Sequence, residues 1–147
     1  MAALTKDRNT PYALGDIRQG AADAVLIFAG ALVMRNAAGN ITKGQTALNL
    51  VGVGRAEQRV DNSAGAAGDL DVRYRPGTFR FANSAAGDLI ATADIGKPCY
   101  AVDDQTVAKT DGTGTRSIAG FIEDVDAAGV WVRCDEVAVR SYLAGIA

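Results

Sequence analysis

The stretch Ile118 to Cys134, IAGFIEDVDAAGVWVRC, constrains this chain more than any other. Two β-rich runs flank Asp126-Ala127-Ala128-Gly129, where Asp suits the first place of a type I turn and Gly the last. The pattern predicts a β-hairpin. An isolated hairpin is marginal in water, so the rest of the chain, or another chain, has to cover it. With a bulge at Gly129, the register sets Val125 opposite Trp131 and Glu123 opposite Arg133, cross-strand pairs of a kind that contribute about 0.2–1 kcal/mol each. Both faces of the hairpin are partly apolar, which a free monomer would struggle to cover and which points to a neighbouring molecule.

The same alternation of short apolar runs and glycine turns recurs upstream. Ala24 to Phe28 and Ala31 to Arg35 are β-rich, and Asn36-Ala37-Ala38-Gly39 repeats the turn chemistry before Asn40-Ile41-Thr42, predicting a second hairpin. From Leu50 to Val60, Gly52 and Gly54 alternate with Val51 and Val53. Glycines on one face of a strand imply close backbone approach or a bend. Asp61 to Gly68 reads as a loop. In the run Asp69 to Phe81, Leu70, Val72 and Tyr74 fall on one face and Asp71, Arg73 and Arg75 on the other, until the phase changes at Pro76-Gly77. Either these two residues make a tight hairpin with Tyr74 facing Phe79, or they bend one long strand. Pro-Gly suits an ordinary turn better than the primed turns of short hairpins, which favours the bend. Cys99 to Asp104 and Gln105 to Thr110 predict two more short strands, and Asp111-Gly112 a turn. The segment AAGDL occurs at Ala66 to Leu70 and again at Ala85 to Leu89, which is reused turn chemistry and not a duplicated domain.

These readings predict an all-β chain: a small Gly-rich β-barrel or sandwich-like domain over residues 24–134, an extended N-terminal arm over 1–23 and a short C-terminal tail over 135–147. At 147 residues one domain with a single core is expected. The arm has little periodic hydrophobicity and reads as an extended or disordered terminus, with Leu4, Tyr12, Leu14 and Ile17 available as anchors. The tail is ambiguous. Val139, Tyr142, Leu143 and Ile146 match the stripe of a helix, while Val137 and Val139 fit a strand.

Residue chemistry narrows the function classes. The sequence has no histidine, which removes Ser-His-Asp and Cys-His catalysis, His-ligated zinc and the commonest general base near neutral pH. Four acidic groupings, Asp69 with Asp71, Asp103 with Asp104, Glu123 with Asp124 and Asp126, and Asp135 with Glu136, fit no calcium-loop spacing and read as solvated turns and strand ends. TDGTGT, Thr110 to Thr115, lacks the Gly-Lys-Ser/Thr ending of a phosphate-binding loop and reads as a hairpin loop. Cys99 and Cys134 lie far apart and read as small buried residues of a reducing compartment. The formal net charge is -2, with scattered Lys and Arg, so no nucleic-acid partner is expected. Nor is a membrane: the first twenty residues are too charged for a signal peptide, and no apolar run reaches the length of a membrane helix. No catalytic residue, metal or cofactor is expected. Arg73, Arg75 and Arg80 form a local basic group, suited to an anion or, better, to acidic patches of a partner. Trp131 with Phe121 could serve as a sugar-stacking platform, or as core and subunit contact. The low aromatic share, 6%, makes for a thin core that favours association.

The arm LTKDRNTP, the run GRAEQRVDNSAGAAGDLDVRYRPGTFRFANSAAGD and the segment ADIGKPCYAVDDQTVAKTDGTGTRSIAGFIEDVDAAGVWVRCD, in that order, resemble bacteriophage capsid cement (decoration) proteins, in particular those encoded beside the major capsid protein in Mu-like phages and prophages. The resemblance covers about Leu4 to Asp135. It implies a β-rich, non-enzymatic minor capsid protein, often trimeric, on the outer surface of the phage head, where it stabilises the major capsid protein lattice. It also implies synthesis in the bacterial host cytoplasm and residence in the virion. The arm, through Leu4, Arg8, Asn9 and Tyr12, is then the expected contact with major capsid protein or a neighbouring copy. Arg73, Arg75, Trp131, Tyr142 and Leu143 are the expected subunit-interface residues of a homotrimer. A virion-surface module that binds a host-cell ligand or glycan is the alternative expectation, and a carboxylate-based hydrolase a third.

Overall fold

The computed structural model describes residues 2–11, 13 and 15–146. The arm gives way to β1 (Arg18–Ala21), followed by β2 (Leu26–Ile27), β3 (Leu32–Arg35), β4 (Ile41–Lys43), β5 (Val51–Ala56), β6 (Val60–Asp61) and β7 (Asp71–Arg75). Past Pro76 come β8 (Gly77–Asn83), β9 (Pro98–Ala101), β10 (Thr106–Ala108), β11 (Ile118–Asp126) and β12 (Gly129–Cys134), and then helix α1 (Glu136–Ile146). The domain is all-β apart from that helix, as the turn-punctuated pattern predicts. Its first half is a five-stranded sheet in the order β1-β7-β5-β3-β4, with β2 and β6 as a separate pair. Its second half closes into a five-stranded barrel, β10-β8-β12-β11-β9, which removes every free strand edge from that half.

The first sheet also curls back on itself. Beyond β1, Ala22 forms a parallel bridge with Ile41 of β4, and the Asp23 N–H donates to the Ile41 carbonyl at 2.8 Å. Gly20 makes room for this, since a Cβ there would lie 2.7 Å from Ile41 Cγ1. Buried Asn62 secures the same corner by donating its side-chain amide to the carbonyls of Ala22 at 3.1 Å and Ala66 at 2.9 Å, which pins the loop after β6.

Pro76-Gly77 is a bend and not a hairpin. Tyr74 pairs with Arg18 and Ala56 in the first sheet, whereas Phe79 pairs with Val132 in the barrel, so the chain passes from one half to the other at this point. Gly77 takes φ +144°, a conformation other residues avoid. Leu70, expected on the buried face with Val72 and Tyr74, precedes β7 and is 46% exposed.

The closing hairpin forms with a different register from the one its turn suggests. Asp126 pairs directly with Gly129 and Val125 with Val130; the bulge falls at Glu123, which places Asp124 opposite Trp131 and Phe121 opposite Arg133. The pairs Val125–Trp131 and Glu123–Arg133 therefore do not exist. Asp126 explains the tight turn: its Oδ1 accepts the N–H of Ala128 at 2.7 Å and of Gly129 at 3.0 Å, so the two-residue loop is satisfied without a bulge.

The expected single core is divided. Leu32 and Met34 of β3 point into a cluster with the barrel residues Phe81, Val107, Ile122, Val130 and Val132. Val33, between them, joins Ile27, Ile41, Val53, Val72 and Tyr74 on the other side. The strand is thus buried on both faces and acts as the wall between two apolar clusters. β5 presses even closer to the barrel. A Cβ on Gly52 would overlap the Ala119 backbone of β11, and one on Gly54 would overlap the Arg75 carbonyl. Both glycines of the Val51-to-Gly54 alternation are therefore required by close approach.

The tail is helical. Asp135 caps it, its Oδ1 accepting the Ala138 N–H at 3.1 Å. Glu136 accepts from Arg35 Nε at 2.9 Å, and Arg35 also donates to the Tyr74 hydroxyl at 3.0 Å. Of the expected stripe only Val139 is buried, against Val51 and Ile118, while Tyr142, Leu143 and Ile146 stay exposed. The outer face of the hairpin, which pointed to a neighbouring molecule, is in this way partly covered from within the chain. Val139 sits on Ile118, and the Tyr142 ring meets Phe121 edge-on at 5.9 Å.

Two measurements check this architecture. Gly52→Ala forces β5 away from β11 and lowers stability by about 3 kcal/mol or more, roughly 6–12 °C in melting temperature. Burial disfavours the charge on Glu136, but the hydrogen bonds and charges of Arg35 and Arg140 outweigh it and hold the carboxyl below its ordinary range. The stabilisation is present above the unfolded glutamate value and lost as pH falls through the lower folded value. Amide exchange in residues 136–146 rises in that acidic window, and in Arg35→Ala at neutral pH, while the barrel amides keep their protection.

Candidate functional site

The register of β5 with β7 sets Arg55 directly opposite Arg75. Like charges in that relation destabilise a sheet unless something neutralises them. Glu57, just past β5, does so: one carboxylate oxygen accepts from Arg55 Nη2 at 2.8 Å and from Arg75 Nε at 3.1 Å. The Arg55 hydrogen bond foremost, against some burial and with the charges of both arginines, holds the Glu57 carboxyl below its usual range. Arg75 also reaches Asp16, at the root of the arm, at 3.4 Å.

Aromatic rings support the neighbouring guanidinium groups. Arg55 lies over Phe79, 4.6 Å from its centroid. Arg80 and Trp131 are cross-strand partners in β8 and β12, with the guanidinium 5.6 Å from the indole centroid. Arg59 covers Phe28 at 5.6 Å, and that ring is 52% exposed. Trp131 is half-buried, and its Nε1–H donates to Asp126 Oδ2 at 2.8 Å, so the same aspartate that closes the hairpin turn orients the indole. That hydrogen bond is the main cause that keeps the Asp126 carboxyl below the ordinary range. Arg55, Arg75, Phe79, Arg80 and Trp131 line an open groove of about 560 Å³. Gly30 borders it and also borders a second depression that contains Phe28.

Of the residues singled out in the sequence, Arg75, Arg80 and Trp131 come together in this groove. Arg73 lies on β7 beside Gln19 of β1, exposed and outside it. Leu4, Arg8 and Asn9 are exposed on the arm, and Tyr12 lies outside the described residues. Tyr142 and Leu143 belong to another surface, where Leu143, Ile146 and Leu48 border a groove of about 580 Å³ under α1. Arg55, Arg59, Phe28 and Phe79 were not legible as partners of Arg75 and Trp131. Their only signal is the basic run Gly54 to Val60, which says nothing of the rings it meets.

The remaining reactive groups have structural employment. Cys99 and Cys134 are both buried in the barrel, where burial pushes the Cys134 thiol up to about 12 and Cys99 further, so both stay neutral. The acidic groupings serve turns and caps: Asp69 accepts from Ala66 N–H at 2.8 Å, Asp103 from Gln105 N–H at 2.9 Å and Asp124 from Val125 N–H at 2.8 Å. Comparison of the chain with protein-family models, with curated proteins and with solved structures returned no match.

Glu57→Gln tests the electrostatics of the site. It leaves Arg55 and Arg75 opposed with weaker compensation, so the melting temperature falls, and the deficit shrinks as added salt screens the repulsion. A salt-independent deficit would contradict this account.

Proposed function

We propose that this chain is a non-enzymatic structural protein of a phage head, which binds the outer surface and stabilises the lattice of major capsid protein. The observation that carries the reading is the arm. Every described residue from 2 to 19 is exposed, Leu4 to 72%, and the segment feeds directly into the edge strand β1. A chain that leaves an apolar-bearing terminus uncovered has it available for another surface. The resemblance of residues 4–135 to capsid cement proteins supplies the class of that surface, and the barrel supplies a stiff body behind it. In this reading the protein acts as a homotrimer, without contact to nucleic acid or membrane, and three weak attachments combine through their high effective concentration.

The second reading, a virion-surface module that binds host glycans, draws on Trp131, which is half-buried beside an open groove. Its indole N–H is engaged by Asp126 and one face by Arg80, which leaves less of the ring for a sugar to stack on.

Deleting residues 2–15 separates the two. The truncated protein keeps its β-sheet circular dichroism and melting transition but loses occupancy on purified heads, measured as bound copies per particle. Unchanged occupancy would exclude the arm as the attachment element. Retained host-cell binding by the same truncation, with no affinity for heads, would favour the glycan reading.

A further inference from the structure

We propose that the groove under α1 is a two-fold contact through which this chain binds a second copy of itself, the helix side of each copy meeting the loop side of the other. The inference does not rest on the arm or on the identity of the particle that the protein serves. A two-fold axis relates copies in pairs, apart from any three-fold association.

The first observation is an apolar stripe that the chain covers only in part. Val139, Leu143 and Ile146 stand at i, i+4 and i+7 of α1 and so fall on one face of the helix. Val139 is fully buried against Val51 and Ile118, but Leu143 is 38% and Ile146 64% exposed. Both border the single groove of about 580 Å³ that Leu48, 55% exposed in the loop between β4 and β5, borders as well. Exposed apolar side chains gathered from separate elements around one groove mark a surface of association.

The second observation is charge. Arg35 and Arg116 also line the groove, but Glu136 and Asp88 neutralise them. Two lining groups remain incompletely engaged. Asp111, in the loop before β11, has a carboxylate with no hydrogen bond or ion pair among the described residues, its backbone carbonyl alone being an acceptor. Arg140, on α1, donates Nε and Nη2 to Glu136 and keeps Nη1 for another acceptor. The two do not pair with each other.

Their placement selects the occupant. The helix side carries a cation with Leu143 and Ile146, and the loop side carries an anion with Leu48. A partner of one sign would satisfy one of these groups and repel the other. A two-fold axis through the groove exchanges the sides, so that each Arg140 meets Asp111 of the other copy and each pair Leu143 and Ile146 meets Leu48 of the other copy. The surface is thus complementary to itself, which is what an isologous contact requires.

Sedimentation velocity of the full chain shows a reversible, concentration-dependent assembly with an even number of copies, a dimer or, where trimers also form, a hexamer. A mass that stays at one or three copies at all soluble concentrations would overturn the proposal. Asp111→Arg and Arg140→Asp each set like charges across the axis and weaken the assembly about tenfold or more. Mixed one to one, the two variants pair with each other, because both contacts again join a cation to an anion, and the even-numbered assembly returns. Folded variants, judged by circular dichroism, that fail to associate when mixed would rule out the two-fold arrangement. Should Arg140→Asp loosen α1, Leu48→Asp, outside the helix, repeats the loss, whereas Leu70→Ser, exposed away from the groove, associates as the unmodified chain does. Deletion of residues 2–15 leaves the association intact; its loss there would make the arm the occupant of the groove and overturn the proposal.

Discussion

The approach of β5 to the barrel is the constraint on which the rest of the structure depends. At Gly52 the strand lies against the Ala119 backbone of β11 so closely that no side chain fits. Because β5 is paired with β3 and β7 on its two edges, that contact fixes the whole first sheet against the barrel. It also brings Val51 to Ile118 and Val139, so the seat for α1 exists only when the two halves are joined. The helix has a single fully buried side chain, and its Arg35–Glu136 clamp and Asp135 cap hold a segment that would be marginal by itself.

The same contact creates the arginine–aromatic face. Arg55 follows Gly54 directly, and its position opposite Arg75 is a consequence of the β5–β7 pairing. Phe79 enters from β8, on the far side of the Pro76 bend, and Trp131 from β12, across the barrel sheet from Arg80. The bend between the sheets therefore does more than join two halves. It carries the chain from Arg75 in the first sheet to Phe79 in the barrel, where Arg55 of the neighbouring β5 lies over the Phe79 ring.

Much of the architecture was legible in the residues themselves. The alternation and glycine turns determined an all-β chain and the Asn36–Gly39 and Asp126–Gly129 hairpins, favoured the bend at Pro76-Gly77, and left either close approach or a bend at Gly52 and Gly54, because backbone sterics and turn chemistry act locally. Lack of histidine and the low net charge were equally plain. The bulge at Glu123, the burial of β3 on both faces, the covering of Ile118 and Phe121 by α1 and the meeting of Arg55 with Phe79 were decided only by the tertiary structure. Each depends on which distant segment arrives opposite a strand, and period-two patterning specifies the faces of a strand but not the partners that those faces meet.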